Sequence, residues 1–149
     1  MIEIDKAELG PVGEAYAIVA EYYEAVEVMV REDAAEFRAK YFGPGAGIWL
    51  ARDGEAVVGC IALRPLEEMA GCGEVKRLYV KPEYRGQGIA ERLLEVLEAY
   101  AREWGYGAIY LDSKDDLKTA IRFYARHGYA ECARYNENPQ ATVFMRKQL

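Results

Sequence analysis

The sequence predicts an α/β (α+β) protein in which helices and strands alternate on one mixed sheet. Two observations carry this prediction: apolar residues recur at helical spacing in four segments, and apolar runs typical of strands separate these segments. The chain has 149 residues, of which 52% are hydrophobic and 30% are charged. That length and composition fit one domain over residues 1–149, with a packed core.

The N-terminal part of the chain predicts a strand, two helices and a hairpin. Asp53-Gly54 is a dipeptide that tolerates positive φ in a tight type I′ turn, so the apolar runs beside it form antiparallel strands. The second of these runs is apolar on both faces, which is typical of a central strand covered by helices. The predicted elements are a strand at 2–5, helices at 12–30 and 33–41, and strands at 48–52 and 55–63.

The C-terminal part predicts strands that alternate with helices after a loop at 64–73. Its most regular element is a helix at 89–104, where apolar side chains repeat along one stripe and Gly105 follows the last turn. The predicted strands are 74–80, 108–111, 129–134 and 142–147, and the second predicted helix is 117–127.

The net charge of −6 arises entirely in the first 43 residues, which hold ten acids and four bases. The rest of the chain holds fifteen of each. This balance argues against a nucleic-acid partner, because phosphate binding needs a basic surface. Two interpretations of the acidic region stay open: a solvated helix face, or a wall that attracts a cationic ligand.

Other features narrow the class of protein. The longest apolar run, 57–63, is far shorter than the roughly 20 residues of a membrane-spanning helix, so we expect no membrane partner. The acidic start does not resemble a signal or transit peptide, and three cysteines without paired spacing suit a reducing compartment, so we expect a cytoplasmic protein. Neither a metal site nor a hydrolase triad is expected, because ligand spacing is absent and His127 is the single histidine.

The most informative stretch is RGQGIA at 85–90, which lies between an apolar strand and the long helix. Gly86 and Gly88 tolerate positive φ, and the helix N-terminus adds unpaired N–H donors with a partial positive charge. Arg85 adds a cationic contact, so the turn is a candidate pyrophosphate site. The alternative is an ordinary strand-to-helix loop. A dinucleotide fingerprint would need a third glycine where Glu91 stands, and the Gly-Lys-Ser/Thr of a P-loop is absent.

This stretch resembles the acetyl-CoA signature of the GNAT family of N-acetyltransferases, Gln/Arg-x-x-Gly-x-Gly/Ala. GEVKRLYV at 73–80, AIRFYARHGY at 120–129 and the later YNENP resemble family features in the family order. The resemblance covers residues 48–149. It implies the GNAT fold, a single mixed, mostly antiparallel central sheet of six to seven strands flanked by about four helices.

The resemblance also implies an acetyl-CoA site. In the family, the strand before the signature pairs with the pantetheine arm, the signature amides hold the pyrophosphate, and an asparagine after the next strand bonds the arm. Here Asp112 and Ser113 follow that strand, and Ser113 is the substitute for the asparagine. The predicted cofactor-binding residues are Leu78, Tyr79, Val80, Arg85, Gly86, Gln87, Gly88, Ile89, Ala90, Ser113 and Tyr124.

Two residues are candidates for the chemistry that the resemblance implies. Tyr124 occupies the family's general-acid position, where its hydroxyl can reach the thioester sulfur; the alternative is a core tyrosine. Glu74 corresponds to the glutamate with which histone-acetylating members activate the amine through water. Its alternative is a plain surface charge.

The resemblance implies that the N-terminal helical region, which here is acidic and rich in tyrosine, walls the acceptor side; the loop between the last two strands is a further candidate. The candidate substrate-binding residues are Tyr22, Tyr23, Glu27, Tyr135 and Asn136. The predicted function is direct transfer of an acetyl group from acetyl-CoA to a primary amine of a small molecule or protein, in a ternary complex and without a metal. The alternative is a non-catalytic acyl-CoA-binding regulatory module on the same fold. Many relatives pair, so a homodimer is also open.

Overall fold

The computed structural model describes residues 1–7, 12–25 and 34–149. In these ranges the helices are α1 (Val12–Ala25), α2 (Ala34–Tyr41), α3 (Ile89–Trp104) and α4 (Lys118–Arg126), and Pro82–Tyr84 forms one turn of 3₁₀ helix. The strands are β1 (Ile2–Lys6), β2 (Gly47–Asp53), β3 (Ala56–Pro65), β4 (Cys72–Val80), β5 (Ala108–Ser113), β6 (Ala130–Glu131) and β7 (Val143–Gln148).

The strands form one sheet in the order β1-β2-β3-β4-β5-β7-β6. Every neighbouring pair is antiparallel except β4 and β5, which run parallel and are joined through α3. The mixed, mostly antiparallel sheet therefore agrees with the prediction. The predicted hairpin joins β2 to β3, but the predicted type I′ turn at Asp53-Gly54 is wrong. Asp53 is the last residue of β2 and pairs with Ala56, so the two turn residues are Gly54 and Glu55. Gly54 has a φ of +62°, whereas neither Asp53 nor Glu55 has the positive φ that a type I′ turn requires at both central positions.

Helices cover the sheet on both faces and create two apolar cores. Leu93, Leu94 and Leu97 of α3 pack on one face with side chains of α4, while α1 and α2 pack on the other face. β3 contributes to both cores, because Ile61 faces α3 and Cys60 faces the N-terminal helices. This explains the apolar run on both faces of β3, since alternate residues of a strand point to opposite sides.

Most element boundaries lie within a few residues of the prediction; one differs by more, and the end of another lies outside the described residues. The predicted helix at 12–30 is α1 up to Ala25, and residues 26–33 lie outside the described ranges. The predicted strand at 129–134 is only Ala130–Glu131. Arg134 beyond it donates to the carbonyl oxygens of Asn136, Asn138 and Ala141, which curls the chain into a loop. Among the described helices, none has the length and apolar character needed to span a membrane.

Candidate functional site

The central feature of the site is a groove where β4 and β5 separate. The two strands pair only from Cys72–Ala108 to Glu74–Tyr110, and beyond this point no pairing joins them. A groove of about 690 Å³ opens between the diverging strands and is closed along its sides by α4, by Tyr22 of α1 and by the start of α3. One edge of β4 therefore faces the groove.

A bulge in β4 accompanies this separation. Cys60 of β3 pairs with Tyr79 of β4, and Ala62 pairs with Lys76. A step of two residues in β3 therefore corresponds to a step of three in β4, so β4 carries an extra residue. Arg77 in this stretch has a φ of +61°, a conformation that non-glycine residues rarely adopt. The Cys60 thiol donates to the Arg77 carbonyl at 3.1 Å and so holds the bulge from the β3 side.

One end of the groove lies at the N-terminus of α3. Gly86 and Gly88 have φ values of +81° and +77°, and no side chain within the described ranges caps the helix. The first amide bonded within this helix is that of Arg92, which donates to the Gly88 carbonyl at 3.1 Å. The amides of the preceding turn have no partner within the helix, so these donors and the helix dipole suit an anionic ligand.

Arg85 and the 3₁₀ turn fix the orientation of this end. The Arg85 Nε donates to the Val80 carbonyl at 2.9 Å, and its guanidinium lies 5.9 Å from the Tyr79 ring centre. The Tyr84 hydroxyl donates to Asp53 at 2.7 Å, which ties the turn to the β2–β3 hairpin. Most of the predicted cofactor residues line the groove; Gln87 is exposed and does not. The predicted residues that line it are Leu78, Tyr79, Val80, Arg85, Gly86, Gly88, Ile89, Ala90, Ser113 and Tyr124.

Tyr124 of α4 lines the groove and is 6% exposed. Burial raises the pKa of its phenol well above the ordinary value, and the neighbouring Tyr22 phenol raises that pKa further. Tyr124 is therefore a neutral O–H donor across the physiological pH range. Ring contacts with Phe123 and Tyr129, each with 5.4 Å between ring centres, hold the side chain in place.

Glu74 lies on the front face of the sheet, the face that α1 and α2 pack on, and is 0% exposed. Its Oε1 accepts from Arg64 Nε at 2.7 Å, and its Oε2 accepts from the Tyr135 hydroxyl at 2.5 Å and from Asn136 Nδ2 at 3.4 Å. Burial, and then the charge of Glu74, raise the pKa of Tyr135, which stays protonated. Glu74 is thus a buried carboxylate with polar partners, not an exposed surface charge.

Asp112 of β5 is the second carboxylate on this face. It accepts from Lys76 Nζ at 3.0 and 3.2 Å, from Asn136 at 2.7 Å and from Asn138 at 3.3 Å. Burial alone would raise the pKa of Asp112, but the Lys76 charge and the hydrogen bonds lower it below the ordinary value. The loop before β7 is therefore attached to β4 and β5 through two carboxylates.

Comparison with known proteins identifies the family. A model of the acetyltransferase (GNAT) family matches residues 14–129 of the chain. An uncharacterised N-acetyltransferase of Schizosaccharomyces pombe is 37% identical over 123 residues, which make up 80% of this chain and 74% of the yeast protein. The chain belongs to the GNAT family.

Solved structures confirm the GNAT fold. A GNAT-family acetyltransferase from Staphylococcus aureus superposes with a TM-score of 0.86 at 21% identity and covers 99% of each chain. The PaiA N-acetyltransferase of Thermoplasma acidophilum, solved in complex with coenzyme A, superposes with a TM-score of 0.77 at 18% identity, over 100% of this chain and 99% of that one. The predicted fold class and the suspected family are both confirmed.

The acceptor residues predicted for this GNAT chain occupy two places. Tyr22 lines the groove, whereas Tyr23 packs against the Arg77 guanidinium at 4.7 Å. Tyr135 and Asn136 do not line the groove; Tyr135 contacts Glu74, and Asn136 contacts Asp112 and Glu74. Glu27 lies outside the described residues.

Part of the acidity near the acceptor side is taken up by internal pairs. Glu21 accepts from the Tyr79 hydroxyl at 2.6 Å and lies 3.7 Å from Lys81 Nζ. Glu14 pairs with Arg52 at 2.8 Å. Neither carboxylate is available to bind a cationic acceptor, which weakens the interpretation of the acidic region as a wall that attracts a cationic ligand.

Sequence analysis missed several groove residues of the GNAT site. Lys118 and Arg126 of α4 line the groove and add positive charge to it. They are eight residues apart, which places them on one face of a helix, so helical spacing could have indicated them. Lys76 was missed as well. Its only signal was that it shares a strand face with Glu74, two residues earlier.

Proposed function

We propose that this chain, one domain over residues 1–149, transfers an acetyl group from acetyl-CoA to a primary amine of a small molecule or protein. The observation that carries the proposal is the groove itself. An uncapped helix N-terminus lies at one end of it, and a protonated phenol, that of Tyr124, lies on its wall. Membership of the N-acetyltransferase family supports the reaction type.

The groove residues fit acetyl-CoA. The amides that open α3 suit the pyrophosphate, because they are unpaired within the helix and aligned with its dipole. The free edge of β4 from Leu78 to Val80 suits the amide groups of the pantetheine arm, which can add to a sheet edge like a strand. Coenzyme A bound to the Thermoplasma neighbour of the same fold supports this assignment.

Transfer requires a neutral attacking amine and a proton for the departing thiolate. An alkylamine of pKa about 10.4 is neutral in only about one molecule in 2,500 at pH 7, so a proton acceptor is needed. We assign that role to Glu74. Because Glu74 is closed to solvent, a proton reaches it through the Tyr135 hydroxyl that donates to it: Tyr135 takes the amine proton and passes its own to Glu74.

Tyr124 supplies the proton at the other end of the reaction. As the C–S bond breaks, its hydroxyl donates to the thiolate and is restored from solvent after product release. The amine attacks the acyl carbon directly, with Tyr22, Tyr23, Tyr135 and Asn136 as the acceptor wall.

The test is Tyr124→Phe, followed by thiol release from acetyl-CoA with a panel of polyamines, arylamines, amino acids and peptides. We expect turnover to fall by about 10²-fold or more, as for removal of a general acid, with CoA affinity nearly unchanged. Tyr100→Phe is the matched control, because it removes a hydroxyl outside the groove whose one hydrogen bond is a long 3.4 Å.

Two outcomes would contradict the proposal. Binding of acetyl-CoA without turnover of any acceptor would favour a regulatory acyl-CoA-binding module. Absence of binding, measured by calorimetry, would remove the groove from consideration as a cofactor site.

A further inference from the structure

We infer that the Lys76–Asp112 ion pair closes the acyl end of the groove and restricts the transferred group to acetyl. This inference rests on the proposed function, because it takes the thioester arm to lie between β4 and β5.

The position of the pair follows from the strand register. Backbone pairing between β4 and β5 ends at Glu74 and Tyr110. Lys76 and Asp112 are each two residues further along their strands, so both project from the face of the sheet that carries Glu74. The ion pair therefore spans the gap directly after the last backbone pairing, where the two strands begin to separate.

The contacts across this gap are short. Lys76 Nζ lies 3.0 Å from one Asp112 carboxylate oxygen and 3.2 Å from the other. The two side chains are only 13% and 7% exposed, and both line the groove. On the opposite face, Val75 and Leu111 are 3% and 1% exposed and line the groove as well. The narrow end of the groove thus has an ionic wall on one face and an apolar wall on the other.

The ionic wall is held from several sides and is not free to swing away. Asn136 and Asn138 donate to Asp112, while the Lys76 ammonium lies 3.8 Å from Glu74. Glu74 is in turn bonded to Arg64. Separating a buried pair leaves an uncompensated charge, which is strongly unfavourable.

The acyl group points toward this wall. The pyrophosphate site at α3 marks the opposite end of the groove, and the arm passes Leu78 before reaching the narrow end. Asp112, Tyr22 and Tyr124 line the same groove. An acyl chain longer than acetyl would meet the ion pair.

The experiment measures binding of CoA, acetyl-CoA, butyryl-CoA and hexanoyl-CoA by calorimetry. For the unmodified protein we expect butyryl-CoA to bind at least about tenfold more weakly than acetyl-CoA, in the range that one or two surplus methylenes cost in a closed pocket. The double variant Lys76→Ala with Asp112→Ala leaves neither charge unpaired. In this variant we expect acetyl-CoA and butyryl-CoA to bind with about equal affinity, a ratio of about one, and the affinity for CoA itself to stay unchanged.

Lys118→Ala is the matched control, because it alters the groove away from its narrow end. We expect it to change all four affinities by one factor and to leave their ratio intact. Equal binding of acetyl-CoA and butyryl-CoA by the unmodified protein would overturn the inference, and this measurement does not depend on the variant folding. An unchanged ratio in a folded double variant would overturn it too. Failure to bind any of the four ligands would instead refute the proposed function.

Discussion

Glu74→Gln tests whether the buried carboxylate holds the acceptor side together. Glu74 accepts from the Arg64 guanidinium at 2.7 Å and from the Tyr135 hydroxyl at 2.5 Å. Glutamine has almost the same shape, but it is neutral and has one acceptor oxygen. That oxygen can face Arg64 while the amide donates to the Tyr135 oxygen. Both contacts persist, but Arg64 loses its ion-pair partner and the Tyr135 contact becomes a neutral hydrogen bond.

The cost follows from those two contacts. Hydrogen bonds to charged groups contribute about 1.5–3 kcal/mol and neutral ones about 0.5–1.5, so the Tyr135 contact loses about 1 kcal/mol. Arg64 has a 32% exposed side chain, so loss of its ion-pair partner adds about 0–1 kcal/mol. We therefore expect a loss of about 1–2 kcal/mol in the free energy of unfolding, or about 2–8 °C in Tm for a chain of this size.

Chemical unfolding of a double-mutant cycle with Tyr135→Phe is the assay. Tyr135→Phe removes the same hydrogen bond from the other side, so the double variant should lose less than the sum of the singles by about 0.5 kcal/mol or more. Additive losses, or a Glu74→Gln protein with the Tm of the unmodified protein, would refute the reasoning.

The same two variants test the proposed proton path. Both should slow transfer to an alkylamine by about 10²-fold or more, since each interrupts the path from amine to carboxylate. An aromatic amine, already neutral at pH 7, should be affected much less. Equal losses on both kinds of amine would assign Glu74 and Tyr135 a structural role alone.

Three further predictions concern the groove and the core. Gly88→Ala should cost about 1–2 kcal/mol of stability and weaken CoA binding, because the φ of Gly88 is +77°. The control Gly13→Ala, in α1, should be neutral or stabilising. Thermal melts measure the stability of both variants, and calorimetry measures their CoA binding. The folded pKa of Asp112 lies below its ordinary 3.8, so the stability that its carboxylate contributes is complete above that value and is lost as pH falls through the folded pKa. Urea unfolding from about pH 5 to about pH 2 should therefore show a smaller loss of stability for Asp112→Asn than for the unmodified protein. Leu97 is 0% exposed, so Leu97→Ala should lower the free energy of unfolding in urea by about 2–5 kcal/mol. Val96, in the same helix, is 37% exposed, so Val96→Ala should change that free energy by no more than about 0.5 kcal/mol.

Local pattern alone predicted a large part of the fold. The apolar stripe and the following glycine predict α3 with the bounds Ile89–Trp104 that the structure has. The Asp53-Gly54 turn and the apolar run after it predict the hairpin and a central β3. These features can be predicted from the sequence because periodicity and turn chemistry depend on residues close together in the chain.

The site could be predicted only where it is local. RGQGIA predicts an anion site at the start of α3 because a strand, two glycines and a helix follow one another directly. Glu74 and Tyr135 are 61 residues apart, and Lys76 and Asp112 are 36 apart, so their contacts have no local signature. For this reason the sequence left Glu74 open between a base and a surface charge.

The sequence by itself determined the helices, most strands and, through its resemblance, the GNAT family, and it predicts a phosphate-binding turn at 85–90. Only the tertiary structure decided where β4 separates from β5, how Glu74 is buried and which charges meet across the gap. The physical reason is that backbone conformation follows from neighbouring residues, whereas burial and ion pairing depend on which distant segments the sheet brings side by side.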